Sequence, residues 1–120
     1  MIPLFKPFVA PEAGEAVNRV LYSGWMTEGP VAAELEKRLS IFLDAPNMLL
    51  VNSGTSALQL ALYLAGVRPG TWVISTPMTC TATNTAILAM GGRVLWADVD
   101  PMTGNLSPES VDRLFLGYGD

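Results

Sequence analysis

Met48-Leu49-Leu50-Val51-Asn52-Ser53-Gly54-Thr55-Ser56-Ala57-Leu58 is the stretch on which the fold turns. Its four leading apolar residues read as a short strand buried on both faces. Asn52 to Thr55 then read as a tight turn, and Ser56 to Ala65 as a helix that is apolar nearly all round, ended by Gly66. The same order recurs downstream. Trp72-Val73-Ile74-Ser75 follows the Pro69-Gly70 turn as a second strand, and roughly Cys80 to Met90 forms a helix closed by Gly91-Gly92. Arg93 to Ala97 is a third strand, in which Trp96, like Trp72 before it, alternates with Val, Ile and Leu in the manner of core. Ser107-Pro108-Glu109 has the chemistry of a helix start, with Ser107 as cap and Pro108 in the first turn. Strands separated by helices of this length require parallel crossovers. The expectation is an α/β fold with a three-stranded parallel sheet, carrying Gly54 and Pro77 at its carboxyl edge.

Upstream of this stretch the pattern is helical. Ala13, Ala16, Val17, Val20 and Leu21 fall on one face of a helix over about Pro11 to Tyr22, and Ser23-Gly24 stops it. After the turn-rich Trp25 to Pro30, a second helix runs to about Leu43 and is expected to bury Val31, Leu35, Leu39 and Phe42. Asp44 to Asn47 break it. The chain is therefore read as a helical arm over residues 1–47, followed over residues 48–120 by the start of a β-α-β-α-β-α sheet.

Composition limits what such a chain does. Half of its 120 residues are hydrophobic and 15% are charged, so it can bury a core and is not disordered by composition. Eleven acidic against seven basic residues, a net charge of −4, argue against a nucleic-acid or anionic-membrane binder. With no histidine, Ser-His or Cys-His catalysis and His-based metal sites within the chain are excluded. Cys80 is the one cysteine and has no internal disulfide partner. The N-terminal segment lacks the basic start and apolar run of a signal peptide. The longest apolar stretch, Ala57 to Val67, is broken by Gln59 and falls short of the ~20 residues that span a bilayer. A cytoplasmic location is expected.

The turn at Ser53 to Ser56 carries the chemistry. First-turn amides lack intrahelical acceptors and the helix dipole is positive there, so an anion fits. Gly54 lets backbone approach a ligand, and Thr55 and Ser56 add hydroxyl donors; a plain helix cap with no ligand uses the same residues. The GxGxxG of a dinucleotide site and the lysine of a P-loop are both missing. Asp98 and Asp100 read as turn-formers, without further ligands at calcium-loop spacing.

Asn52 to Leu58 resembles the NSGTxAL segment of the DegT-type sugar aminotransferases, fold-type I enzymes that depend on pyridoxal phosphate (PLP). Ser23 to Pro30 is similar to their SGW-x-T-x-GP segment, Pro77 to Asn84 to the start of a following helix, and Asp98-Val99-Asp100-Pro101 with Thr103 and Asn105 to their D-x-D-P-x-T-x-N turn. The motifs occur in the family's order across nearly the whole chain. The resemblance implies amination of a keto group on a nucleotide-linked sugar, glutamate or glutamine as donor, PLP as cofactor and a homodimer at full length. It implies that Gly54, Thr55 and Ser56 hold the cofactor phosphate and that the Trp25 to Pro30 loop borders the substrate, with Thr27 near it. Trp25 serves equally as an aromatic clamp on that loop. Position 80 departs from the pattern: relatives stack an aromatic ring on the cofactor, whereas Cys80 packs more softly beside it or is a core cysteine.

No catalytic residue and no metal ligand is assigned within the chain. Such an enzyme needs a lysine that holds the cofactor as a Schiff base and a carboxylate at the ring nitrogen. The two lysines, Lys6 and Lys37, lack the small polar neighbours of the family's Ser-x-x-Lys segment. The expectation is the N-terminal third of a longer aminotransferase, inactive alone. Two alternatives stand beside it: a free-standing α/β binding domain without catalysis, or part of a desulfurase-like or aldolase-like PLP lyase.

Overall fold

The computed structural model describes residues 2–3, 5–25 and 27–117; Met26 of the Ser23 to Pro30 segment lies outside them, as do Met1, Leu4 and Tyr118 to Asp120. The chain divides into two compact units, Met1–Leu50 and Val51–Asp120.

The first unit is helical. Helix α1, Ala13–Leu21, carries Glu15 in its first turn and Arg19 in its last, each complementing the helix dipole. It stops where Ser23 turns back on it: the Ser23 hydroxyl donates to the Val20 carbonyl at 2.7 Å. Helix α2, Pro30–Phe42, opens on proline, whose fixed φ and missing N–H suit the first position. Beyond it, the Leu50 N–H donates to Glu36 Oε1 at 2.8 Å, which ties the end of the unit back to the helix.

Two expectations fail here. Neither helix buries a residue: Val31, Leu35 and Phe42 are exposed, Phe42 by 83%, and Leu39 is half-buried. The apolar stripe marks a face that can be covered, and among the described residues it is left largely exposed. Nor do residues 48–51 form a strand. A strand needs a ladder partner for its backbone, and the Leu50 amide is instead taken by the Glu36 carboxylate.

The second unit contains helix α3 (Gly54–Leu64), strand β1 (Trp72–Ser75), helix α4 (Thr81–Ala89), strand β2 (Arg93–Trp96) and helix α5 (Pro108–Gly117). The sheet among the described residues has two strands, not three. They are parallel, as the intervening helix requires, with Trp72 opposite Arg93 and Ser75 opposite Trp96. Backbone bonds extend the ladder at both ends, from Arg93 N–H to Thr71 O and from Ala97 N–H to Ser75 O, each 2.8 Å.

Helix α4 packs on both α3 and β2. The buried apolar side chains among the described residues, Val67, Ala86, Ile87 and Ala97, all belong to this unit. The tryptophans do not join them. Trp72 is 48% exposed and Trp96 53%. Trp72 opens β1 and Trp96 closes β2, so each ring sits at the end of a narrow sheet. The Arg93 guanidinium lies 5.3 Å from the Trp72 ring centroid and covers part of that ring instead. No helix among the described residues is long and apolar enough to cross a membrane.

Candidate cofactor and substrate site

Helix α3 begins at Gly54, two residues earlier than the apolar pattern alone places it, because Ser53 is its cap. Ser53 is extended, and its Oγ accepts the Ser56 N–H at 3.1 Å. The Ser56 hydroxyl donates to Asn52 Oδ1 at 2.8 Å and lies 2.9 Å from Ser53 Oγ, which closes a small network around the cap. Both donors of Ser56 thus have local partners. The N–H groups of Gly54 and Thr55 and the Thr55 hydroxyl are different: none has a partner among the described residues. The space above Gly54 is open, since a Cβ built there meets nothing within 4 Å. Two amides and a hydroxyl around open space at a helix N-terminus fit a phosphate group.

The turn from β1 into α4 is braced from inside. Ser75 ends the strand and is buried, 7% exposed, and its hydroxyl donates to Asn84 Oδ1 at 2.6 Å. The amide of Asn84 in turn donates to the Thr76 carbonyl at 3.1 Å. Thr76 Oγ1 accepts the Met78 N–H at 3.1 Å, and Cys80 O accepts the Thr83 N–H at 3.0 Å. Cys80 sits at the N-cap of α4 without a capping bond from its side chain, and its thiol is exposed in this chain. The reading of the sequence missed the role of Ser75 and Asn84. Its signal was a hydroxyl at an inward strand position, which has to find a partner when buried.

Trp25 and Thr27 belong to the first unit. They line a groove of about 560 Å³, together with Ala16, Val20 and Pro30 and with Arg19 as its charged member. Trp25, 57% exposed, packs so closely on the next turn that a Cβ at Gly29 would lie 2.9 Å from its own Cβ. The Trp25 side chain thus lies against Gly29, while Thr27 stays exposed at the groove.

Asp98 and Asp100 are turn-formers. Asp100 Oδ1 accepts the N–H groups of Met102 and Thr103 at 2.8 and 3.0 Å, which hold its carboxyl below the ordinary carboxylate value. Asp98 Oδ1 accepts the Val99 N–H at 2.8 Å, and the Asp98 N–H donates to Ser110 Oγ at 2.9 Å. Among the described residues no group of three or more His, Cys, Asp or Glu could hold a metal ion.

Comparison with known proteins adds to this geometry. The spore coat polysaccharide biosynthesis protein SpsC of Bacillus subtilis (strain 168) is 35% identical over 111 residues, which is 92% of this chain and 28% of SpsC. The UDP-4-amino-4-deoxy-L-arabinose–oxoglutarate aminotransferase of Shewanella sediminis (strain HAW-EB3) is 35% identical over 99 residues, 82% of this chain and 26% of that enzyme. Among solved structures, Spr1654 from Streptococcus pneumoniae in its PLP form superposes with a TM-score of 0.82 at 34% identity, covering 93% of this chain and 29% of that one. The chain thus spans less than a third of the length of the proteins it matches. Its fold is the α/β fold of the fold-type I aminotransferases. Since the matching residues run from 8 to 115, through the cap of α3, the Cys80 turn and the groove alike, the chain belongs to the DegT/DnrJ/EryC1/StrS aminotransferase family.

Proposed function

We propose that this chain contributes the cofactor-phosphate cradle of a PLP-dependent aminotransferase acting on a nucleotide-linked keto-sugar, with glutamate or glutamine as amino donor. The observation that carries the reading is the pair of amides at Gly54 and Thr55 that have no partner among the described residues, beneath open space, in a chain of this family. The sugar nucleotide follows from the likeness to an enzyme named for a UDP-sugar. A homodimer at full length and a cytoplasmic setting complete the reading.

Each residue then has a role. The Gly54 and Thr55 amides donate to phosphate oxygens, with the Thr55 hydroxyl as a third donor. Ser56 completes the cradle with its hydroxyl at the phosphate, and it also keeps Ser53 and Asn52 in place. Cys80 packs beside the ring from the start of α4. Thr27 meets substrate at the groove of the first unit, and Trp25 shapes that groove. When bound, the cofactor supplies the electron sink that lets an amino group pass between donor and keto-sugar.

The test uses pyridoxamine 5′-phosphate, whose amine replaces the aldehyde and cannot form an imine with Lys6 or Lys37. Titration followed by its phosphorus resonance is expected to show binding that Gly54→Val weakens at least about tenfold, by filling the open space with a side chain. Asp100→Asn, in a distant turn of the sequence, is the control and is expected to bind as wild type. Equal binding by both variants would remove the assignment.

A further inference from the structure

The bracing of the β1–α4 turn bears on what Cys80 does. Segment 76–80 leaves the sheet and enters α4, and one side chain grips it from both sides. Asn84, in the first turn of α4, accepts from the Ser75 hydroxyl and donates to the Thr76 carbonyl. Its amide therefore links the last residue of β1, the first residue of the turn and the helix that follows. The loop between is fixed at both ends, while the Cys80 side chain makes no capping bond and stays exposed. A hydroxyl buried at a strand end finds many possible partners. The Asn84 amide instead ties the start of the loop to α4, and so limits how far Cys80 at the loop's other end can move.

We infer that Asn84, with Ser75, is a positioning residue that sets Cys80 against the cofactor ring. The inference rests on the cofactor reading above and goes beyond it, because among the described residues Asn84 hydrogen-bonds neither the phosphate cradle nor the groove lining. Losing Asn84 frees the 76–80 turn without altering the Gly54 and Thr55 donors. Phosphate binding then survives, and the contact at Cys80 does not.

Cys80 is the one cysteine of the chain, so its alkylation by iodoacetamide reads a single site. In wild type, pyridoxamine 5′-phosphate at ten times its dissociation constant is expected to slow that alkylation about tenfold. In Asn84→Ala the phosphorus titration is expected to be unchanged, while protection of Cys80 falls below about twofold. Ser110→Ala, which empties another buried hydroxyl site in the same unit, is expected to keep full protection. Should Asn84→Ala lose its helical circular dichroism, Ser75→Ala combined with Asn84→Leu is measured instead, since removing both partners leaves no buried hydroxyl unpaired. Full protection in either folded variant overturns the inference. Wild type that binds the phosphate but leaves Cys80 unprotected overturns it too, by removing Cys80 from the ring. Absence of phosphate binding in wild type fails the cofactor reading itself, and the inference with it.

Discussion

Gly91 approaches Pro69 so closely that a Cβ on Gly91 would lie 3.0 Å from the Pro69 Cα and 3.1 Å from its Cγ. The two residues belong to the turns that precede β2 and β1, and the Gly91 carbonyl accepts the Gly70 N–H at 2.8 Å. Gly91 also has φ +75°, where a side chain is strained. Gly91→Ala is therefore expected to destabilise the second unit by about 1–3 kcal/mol, from strain and contact together. Gly14→Ala is the opposite case: Gly14 lies inside α1 with nothing within 4 Å of a Cβ. Alanine there is expected to stabilise the helix by about 0.5–1 kcal/mol. Urea unfolding of the two variants, followed by circular dichroism, checks both signs.

The cap of α3 separates stability from ligand binding. Ser53→Ala removes the acceptor of the Ser56 N–H and is expected to cost about 1 kcal/mol. Ser53→Asp restores an acceptor, and its negative charge suits the helix N-terminus, so stability is expected to return to near wild type. The same charge repels a phosphate, so affinity for pyridoxamine 5′-phosphate is expected to fall at least about tenfold. Thermal unfolding and the phosphorus titration read the two effects independently. Stability and affinity that move together in Ser53→Asp would show that the cradle is only a cap.

How much of this was legible follows from what each signal depends on. The Ser107–Pro108 helix start and the β1 and β2 segments are local: their capping residues, turns and apolar runs act within a few positions. Helix α3 is local too, but Ser53 reads as part of the preceding turn until its hydroxyl is seen to cap the helix. Ser107 does cap α5, accepting the Ser110 N–H at 3.2 Å. Residues 48–51 carry the same apolar run but no strand, because a strand also needs a partner, and that partner is not written in the run itself. Val31, Leu35, Trp72 and Trp96 failed for a related reason. Apolar character says that a residue can be buried, and only the packing of other elements decides that it is. The Ser75–Asn84 clamp spans nine positions through side chains alone and leaves no periodic trace.

Asp100 gives a dependence on pH. Its carboxyl is held below the ordinary value of 3.8, first by the Met102 amide and then by the Thr103 amide. A carboxylate lowered on folding contributes stability above its unfolded value and loses it as pH falls through the lowered folded one. The Asp100 to Asn105 turn is therefore expected to persist through pH 3.8 and to loosen only below it. The amide resonances of Met102 and Thr103, followed from pH 6 to pH 2, report this directly. In Asp100→Asn the same resonances are expected to show no titration in that range. A wild-type midpoint at or above 3.8 would contradict the hydrogen-bonded turn.

Acting alone, the chain offers two lysine amines to a cofactor. Lys37 lies in α2 and Lys6 in the segment before α1, both exposed and both in the first unit, whereas the Gly54 cradle belongs to the second. Among the described residues neither lysine makes a side-chain hydrogen bond or an ion pair, and the Glu34 carboxylate, which feels the Lys37 charge, is held by Arg38. An exposed amine condenses weakly with free PLP, but rate enhancement needs groups fixed where charge develops. Residues 1–120 supplied with PLP, glutamate and a keto-sugar nucleotide are thus expected to form 2-oxoglutarate no faster than the free cofactor does. Cofactor binding, by contrast, is expected and is loose, since the cradle offers only two amides and the Thr55 and Ser56 hydroxyls. Turnover above that background which disappears in Lys6→Ala or Lys37→Ala would place a catalytic lysine within these residues and overturn the division of labour argued above.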